Sequence, residues 1–556
     1  MTSPGKAPGW KSSLHQHWPL YAGVSIFLIV LFVILNDSIR QNHGRLIYMV
    51  DDAYIGMAMA RNFAQYGVWG TTRYGFSSCS SPPLWTLSLS FIYYLTGAHQ
   101  VTPLILSLVF ALATFLLAYH MLQSYKVPPI ATFLTLLAFI FLVPFPALVM
   151  IGMEPTMQIF LSMLMVFVAA RWVSGESPAT SRRDAVSLLA LAPLATGVRM
   201  EGLFLVIAIS IVLLFCRRWV YVLAFSALGY LPWFIYGLIS VSKGWYWLPT
   251  SVLLKTSPPK VSSVGDMLLS VLFPIHESSR TVLHVPALLL AVLLLFIAAS
   301  GKGSAFRESR QVMSVILLLV GLAQLELIRP TLLYRYDAYL TTLCILVVAL
   351  QLPVVVPQWP SFRSWATWTN PRVASIAALV VVFTFPLIME GGLLTSQITQ
   401  CTTNIYEQQY QMGLFIRKYY QGGSVALNDI GAVNYLADVH CLDMWGLASL
   451  PVARARHEHR YQVDVVENAV AQAQVKIAII YDVWFTGLVP SNWVRVGTWT
   501  IRNNMVCANE TVSIYAVDPA EAPHLTQCLR DFSAQLPADV IQQGPYLAYA
   551  SGGGGP

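Results

Sequence analysis

The chain has 556 residues, of which 56% are hydrophobic and only 11% are charged, against about 25% charged residues in an ordinary soluble domain. This composition excludes a soluble globular enzyme and predicts an α-helical polytopic membrane protein. The net charge of +7 does not indicate nucleic-acid binding, because no run of like charge is long enough. The basic residues instead form small clusters beside apolar runs, as in cytoplasmic loops: Arg182–Arg183, Arg217–Arg218, Lys302 with Arg307 and Arg310, and Arg363 with Arg372.

Apolar runs long enough to cross a membrane recur along the first 395 residues. The run at 19–36 is too long for a signal-peptide core, so we interpret it as an uncleaved first span. Ten more spans are predicted at 101–121, 130–150, 156–173, 186–198, 199–216, 219–241, 285–300, 312–328, 337–353 and 374–394. With the N-terminus inside, these eleven spans put every basic cluster inside and the C-terminal region outside.

Two segments of this region depart from a simple series of spans. The runs 186–198 and 199–216 are short and predict a hairpin that turns near Gly197. The apolar segment 82–97 is also short, and we interpret it as a tilted or interfacial helix within the first outer loop, residues 37–100. Residues 1–395 are thus predicted to form a transmembrane domain.

Residues 396–549 have a soluble composition. Strand-like runs at 425–429, 476–481 and 511–517 alternate with helical stretches at 405–420 and 465–474, which predicts a small extracytoplasmic α/β domain. Four cysteines fall here, and their even number predicts two disulfides: Cys401, Cys441, Cys507 and Cys528. Free buried thiols are the alternative, and a zinc site lacks any CxxC pair. The glycine-rich residues 550–556 are interpreted as a tail outside the fold.

Two adjacent acids give the sharpest functional signal. Asp51 and Asp52 follow an apolar run and precede a segment, 53–66, with helical periodicity. One acid suffices to cap a helix start, so the second indicates a further role. A positioned carboxylate can act as a general base that takes a proton from a substrate. We therefore predict that one of the two is a general base and that the other orients the acceptor or a divalent cation. The alternative is that they serve only as an N-cap and a first-turn acid.

Several short motifs resemble those of the GT-C class of membrane glycosyltransferases, and more narrowly the bacterial branch that includes mycobacterial arabinofuranosyltransferases. They occur in the same order as in that branch: Asp51-Asp-Ala-Tyr-Ile55, Ala60-Arg-Asn-Phe63, Ser80-Ser-Pro-Pro-Leu-Trp85, Gly152-Met-Glu-Pro155, Arg199-Met-Glu-Gly202, Leu248-Pro-Thr250 with Lys255, Tyr334-Arg-Tyr336 and Asp429-Ile-Gly-Ala432. The resemblance implies a polyprenyl-phosphate sugar donor, most simply of arabinofuranose, with a hexose or aminoarabinose as alternatives. The chain has no P-loop or dinucleotide fingerprint that would bind a nucleotide sugar.

Ionisable residues that fall at the outer face in this topology are the predicted substrate-binding residues: Glu154, Arg199, Glu201, Lys255, His276, Arg329 and Arg335. Arg199 and Glu201 are two positions apart and cannot pair along one helical face, so each is expected to have another partner. Lys255 has an alternative as a snorkelling interface anchor, and Glu154 as a cap before Pro155. No metal set is apparent; a divalent cation such as Mg²⁺ or Mn²⁺ would be held by Asp51 or Asp52.

These observations predict an inverting glycosyltransferase in a bacterial inner membrane, with its active site extracytoplasmic. Its partners are a polyprenyl-phosphate-sugar donor, membrane lipid and a glycan, glycolipid or protein acceptor, without nucleic acid. The rival functions are a lipid-linked glycan flippase or transporter, and a glycan-binding scaffold. A transporter would place polar residues at mid-membrane in two repeated halves, and no internal repeat is seen.

Overall fold

A computed structural model describes residues 10–175, 181–254, 284–300, 305–327, 335–355 and 371–547. The N-terminal part is helical, and its elements in chain order are α1 (Trp10–Gln41), α2 (Asp51–Tyr66), α3 (Pro83–Thr96), α4 (Thr102–Ser124), α5 (Pro129–Phe141), α6 (Phe145–Met150), α7 (Pro155–Ser174), α8 (Ser181–Val198), α9 (Gly202–Phe215), α10 (Trp219–Ser242), α11 (Thr250–Leu253), α12 (His284–Ala299), α13 (Ser309–Leu327), α14 (Ala338–Val355) and α15 (Pro371–Ile405).

The helices agree with a membrane protein, although their number does not settle the count of spans. Within the described ranges, four are long and apolar enough to cross a membrane: Gln16–Gln41 of α1, α4, α7 and α10. The apolar helices α5, α9, α12, α13 and α14 are shorter. The total of eleven spans therefore stays a prediction, and so do the domain boundaries at 395 and 549.

One local prediction in this region is wrong and another is confirmed. The run 130–150 is not one helix, because α5 ends at Phe141 and α6 begins at Phe145; Pro144 between them has no N–H group with which to continue a helix. The predicted hairpin is confirmed by α8 and α9, and its turn at residues 199–201 begins two residues after Gly197. The glycine that this turn needs is Gly202, where a Cβ atom would lie 2.5 Å from the carbonyl oxygen of Ala195.

The C-terminal part forms a small mixed α/β domain. After a π-helical turn (Tyr406–Tyr410) come α16 (Gln411–Tyr419), β1 (Ser424–Leu427), α17 (Gly431–Leu436), β2 (His440–Asp443), α18 (Leu450–His457), α19 (Val463–Gln472), β3 (Ile477–Ile480), β4 (Val494–Thr500), β5 (Thr511–Ala516), α20 (Ala522–Ser533) and β6 (Ile541–Gln543). The three predicted strands correspond to β1, β3 and β5. The predicted fold class, a helical membrane protein with a C-terminal α/β domain, is confirmed.

The sheet order places one edge of this domain against the helices. The strands run β2-β1-β3-β5-β4-β6, with β1 parallel to both β2 and β3 and the remaining pairs antiparallel. The carboxyl ends of parallel strands meet at one edge of a sheet, where open α/β sheets bind their ligands. Here that edge carries Asp429, the loop after Asp443, and Tyr481. It faces α2.

The predicted disulfides are wrong. All seven cysteines are free thiols, including Cys401, Cys441, Cys507 and Cys528. The even number of cysteines in this region does not by itself predict disulfides, because the Cα atoms of two bonded cysteines must also lie within about 7 Å of each other. Cys401 lies near the end of α15, Cys441 on β2 and Cys528 on α20. The alternative of free buried thiols describes them better.

Candidate active site

The two adjacent acids begin α2 but point to different partners. The residue before the helix, Val50, makes no side-chain cap, and an acid in the first turn is favoured by the helix dipole. The Asp51 carboxylate reaches into the C-terminal domain, where the N–H groups of Gly431 and Ala432 each donate to one of its oxygens at 2.7 Å. Asp51 thus caps another helix, α17, rather than its own.

A second carboxylate lies near Asp51 at the same edge of the sheet. Asp429 accepts hydrogen bonds from the Tyr481 hydroxyl at 2.6 Å and from the Gln409 amide at 2.8 Å. Burial and the charge of Asp429 raise the pKa of Asp51 to about 8, although the two N–H donors oppose the shift. Burial and the charge of Asp52 likewise raise the pKa of Asp429. Both shifts favour the protonated forms of the Asp51 and Asp429 carboxyl groups.

Asp52 faces the opposite way, into a partly open cleft. Its carboxylate accepts a hydrogen bond from Nη1 of Arg335 at 2.6 Å, and the side chains of Asp52 and Arg335 are 32% and 13% exposed. Asp51 does not line this cleft. The lining combines these two charges with small polar and apolar residues: Ala53, Ile55, Gly56, Met59, Cys79, Ser80, Ser81, Pro82, Trp85, Thr86, Met153, Ser251 and Leu447.

Behind Arg335 lies a buried cluster of charges. Arg199 donates through Nη1 to Glu154, and through Nε and Nη2 to the two carboxylate oxygens of Glu201, at 3.0 and 2.6 Å. The three side chains are at most 8% exposed. Nε of Arg335 lies 3.9 Å from Glu154, so Glu154 links this cluster to the cleft. Charged hydrogen bonds of this kind hold the participating side chains in fixed orientations.

The pairing of Arg199 with Glu201 corrects a sequence-based prediction. Their two-residue spacing excludes a contact only on a helix, and both lie in the turn between α8 and α9. The turn lets the bidentate guanidinium fold back onto Glu201, while Glu154, directly before α7, supplies the other carboxylate. Arg199 therefore has two acidic partners, and its charge is already neutralised inside the protein.

The structure brings together most of the predicted site residues that it describes. Asp52, Glu154, Arg199, Glu201 and Arg335 form one chain of contacts, with Asp51 beside it on the domain side. Lys255, His276 and Arg329 lie outside the described residues. Within the described ranges, no group of three or more His, Cys, Asp or Glu residues could hold a metal ion, and the space between Asp52 and Glu154 is bridged by Arg335.

Some residues of the site were not identified as such from sequence. Asp429, Gly431 and Ala432 belong to a motif that the resemblance had marked, but nothing in the sequence connected them with Asp51. Ser251 lines the cleft, and its buried hydroxyl has no hydrogen-bond partner among the described residues. Its neighbour Thr250 bonds to the backbone carbonyl oxygens of Ser78 and Leu447, which holds the C-terminal domain against the cleft.

Comparison with known proteins gives matches in structure over most of the chain, but a match to a sequence family over only part of it. Residues 403–515 match a family described as a domain of unknown function, DUF8728, and no curated protein sequence matches the chain. Crystal structures of ArnT from Cupriavidus metallidurans match over 90% of this chain and 98% of theirs at 15% identity. The TM-score is 0.53 for the apo state and 0.50 for the form bound to undecaprenyl phosphate.

A third structure is the archaeal oligosaccharyltransferase AglB from Archaeoglobus fulgidus in complex with an inhibitory peptide and a dolichol-phosphate. It matches 95% of this chain and 76% of its own at 13% identity, with a TM-score of 0.49. The chain has a GT-C-like fold, and it is an integral membrane protein. At these identities the likeness concerns the fold alone.

Proposed function

We propose that the protein is an inverting glycosyltransferase that moves a sugar from a polyprenyl-phosphate donor to an acceptor hydroxyl, with Asp52 as the general base. The observation that carries the proposal is the cleft in which Asp52 and Arg335 lie in contact beside apolar side chains. A carboxylate that takes a proton and a guanidinium that binds phosphate are the two groups such a transfer requires. The fold shared with a protein crystallised with undecaprenyl phosphate supports the donor class.

The reaction can be written with the groups of this cleft. The acceptor hydroxyl oxygen attacks the anomeric carbon of the donor while Asp52 takes the hydroxyl proton. The bond between the anomeric carbon and the phosphate oxygen breaks, and the lipid phosphate leaves with the electron pair. Arg335 stabilises the charge that develops on that phosphate, and the Ser251 hydroxyl is free to hydrogen-bond a substrate oxygen. Trp85 and Met59 give the cleft apolar walls beside these charges.

Asp51 has a different role in this proposal. Both of its oxygens are occupied by backbone N–H groups of the C-terminal domain, so it is poorly placed to take a substrate proton. The described residues also do not form a metal set, and no step of the mechanism uses a cation. The divalent cation predicted from sequence would have to be held chiefly by Asp52.

The location of the charges favours an enzyme over the alternative of a flippase or transporter. Asp52, Glu154, Arg199 and Arg335 form one cluster of contacts at a single cleft. The sequence shows no internal repeat, whereas many transporters are built from two repeats with the substrate site between them. We propose further that the sugar is arabinofuranose, with aminoarabinose or a hexose as alternatives. The acceptor would be a glycan, glycolipid or protein of a bacterial cell envelope, and the cleft and C-terminal domain would be extracytoplasmic.

The test is a transfer assay with purified protein in lipid nanodiscs. Polyprenyl-phosphate arabinofuranose, aminoarabinose and hexose donors carrying a radiolabelled sugar are each incubated with a cell-envelope extract, with and without EDTA. We expect transfer from one of the donors, and a loss of about 10²–10⁴ in rate for Asp52→Asn. The matched control is Asp37→Asn, the same change at an exposed aspartate of α1. The proposal fails if no donor is used or if Asp52→Asn retains wild-type turnover.

A further inference from the structure

The helix that carries Asp52 is held by the C-terminal domain at two points. Near its start, Asp51 accepts hydrogen bonds from the N–H groups of Gly431 and Ala432. Ten residues later, Arg61 donates to the carbonyl oxygens of Tyr435 at 2.7 Å and Asn434 at 3.0 Å. A carboxylate of α2 thus satisfies the N–H groups at one end of α17, and a guanidinium of α2 satisfies carbonyl groups at the other.

Packing between these two points leaves little freedom. The rings of Tyr54 on α2 and Tyr435 on α17 lie 6.0 Å apart, and Gly431 touches the start of α2. A Cβ atom at Gly431 would lie 2.1 Å from the backbone oxygen of Asp51 and 2.7 Å from its Oδ2 atom. No side chain fits there unless Asp51 moves. The first turn of α2 therefore has one position relative to the domain.

We propose that this two-point contact between α2 and α17 is a positioning device, through which the C-terminal domain sets the orientation of Asp52 in the cleft. Asp51 and Arg61 are positioning residues, and the domain completes the active site. The inference rests on the proposed role of Asp52 as the base. Asp51 and Asp52 are adjacent, so a displacement of the first is transmitted to the second, and a 1 Å displacement of a reacting group can cost about 10²-fold in rate.

Other contacts between the same two parts do not constrain Asp52 in this way. Arg73 and Asp438 form an ion pair at 2.6 Å whose side chains are 41% and 28% exposed. The ring of Tyr74 stacks on His440 at 3.6 Å. Both contacts hold the loop after α2 to the domain, more than 20 residues from Asp52 along the chain, and the ion pair is exposed enough to add little stability.

The experiment compares Gly431→Ala, Arg61→Ala and Arg61→Lys with the control Arg73→Ala in the transfer assay. We expect Gly431→Ala and Arg61→Ala to lower kcat about 10- to 100-fold, with binding of polyprenyl phosphate changed less than about twofold. Arg61→Lys keeps one charged donor and should recover part of the rate. Arg73→Ala should have wild-type kcat. Rates are given per mole of folded protein. If Arg61 and Gly431 had only a structural role, their variants would give less folded protein, but kcat would be unchanged and Arg61→Lys would have no lost rate to recover.

Hydrogen exchange separates the failure of this inference from the failure of the proposed function. If wild type transfers sugar and the α2 and α17 variants have the same kcat, the positioning role is wrong while Asp52 keeps its role. If wild type transfers nothing, exchange at residues 51–54 tests the contact itself. Arg61→Ala should then accelerate amide exchange there at least tenfold, and Arg73→Ala should not. Equal exchange in both variants overturns the inference.

Discussion

Arg199→Ala should destabilise the protein rather than weaken donor binding alone. The sequence predicted a substrate-binding arginine that does not pair with Glu201, but the structure pairs Arg199 with both Glu154 and Glu201. Removing the guanidinium would leave two carboxylates, 0% and 8% exposed, without that counter-charge. Breaking a buried ion pair in this way costs about 3–5 kcal/mol, a large part of the roughly 5–15 kcal/mol that stabilises a typical protein.

The assay is thermal unfolding in one detergent, followed by resistance to protease, together with binding of polyprenyl phosphate to the folded fraction. Arg199→Ala should lower the midpoint by several degrees. A neutral cluster, Arg199→Met with Glu154→Gln and Glu201→Gln, should regain much of that loss, because no unpaired charge is left buried. Arg495→Ala is the matched control: its side chain and that of its partner Asp482 are 60% and 40% exposed, so about 1 kcal/mol or less should be lost.

The opposite pattern would refute this reasoning. If Arg199→Ala unfolds at the wild-type midpoint and binds the lipid phosphate 10- to 100-fold more weakly, Arg199 is a donor ligand and the buried pairing is not its main role. If the neutral triple variant is less stable than Arg199→Ala, the cost does not arise from unpaired carboxylates.

Three further predictions concern the cysteines, the side of the membrane on which the C-terminal domain lies, and the pair Asp51 and Asp429. All seven cysteines should react with a thiol reagent in unreduced, denatured protein, and fewer would reveal a disulfide. A cysteine introduced at Val483, which is 60% exposed, should be labelled by an impermeant reagent outside intact spheroplasts; labelling only after lysis would reverse the topology. Because the pKa of Asp51 is raised to about 8, its contribution to stability is present in acid and lost as the pH rises through about 8. Asp429→Asn should weaken that loss, and an equal loss in this variant would contradict the cause.

Much of the architecture could be predicted because it depends on composition and local periodicity. Apolar runs gave most helices of the first 395 residues, and buried strands such as Ile477–Ile480 were apparent from continuous apolar residues. Three strands, β2, β4 and β6, were missed. The residues of β2 and β6 are partly exposed and short of apolar side chains, and β4 begins with two exposed residues. The break between α5 and α6 also has a local cause, Pro144, and the sequence therefore contained the information needed to predict it.

The site was predicted in part, and the limits have physical causes. The adjacent acids and the conspicuous cations were identified from residue type and position near apolar runs. Which acid faces the cleft depends on contacts with residues about 380 positions away, at Gly431 and Ala432, and no local pattern contains them. The pairing of Arg199 with Glu201 was excluded by a helical rule that does not hold in a turn. The prediction failed because it assumed that Arg199 and Glu201 lie on one helix.

The contact between Arg335 and Asp52 has a consequence for the order of events in the cleft. The Asp52 oxygen that accepts a hydrogen bond from Arg335 is less available to a substrate hydroxyl, and the same guanidinium is the candidate phosphate ligand. An arriving donor would therefore compete with Asp52 for Arg335. Binding of the phosphate would release the carboxylate to accept a proton, so the base would become active only when the donor is present.

This competition predicts an unusual property of the inactive variant. Asp52→Asn, although it should lose turnover, should bind polyprenyl phosphate at least as tightly as wild type, because Arg335 no longer has to leave a charged partner. For a pair this exposed, the interaction is worth up to about 1 kcal/mol, which corresponds to a gain of up to about fivefold in affinity. The measurement is titration of the lipid phosphate into both proteins in nanodiscs. Weaker binding by Asp52→Asn would mean that Asp52 helps to hold the phosphate, and the proposed exchange of partners at Arg335 would be wrong.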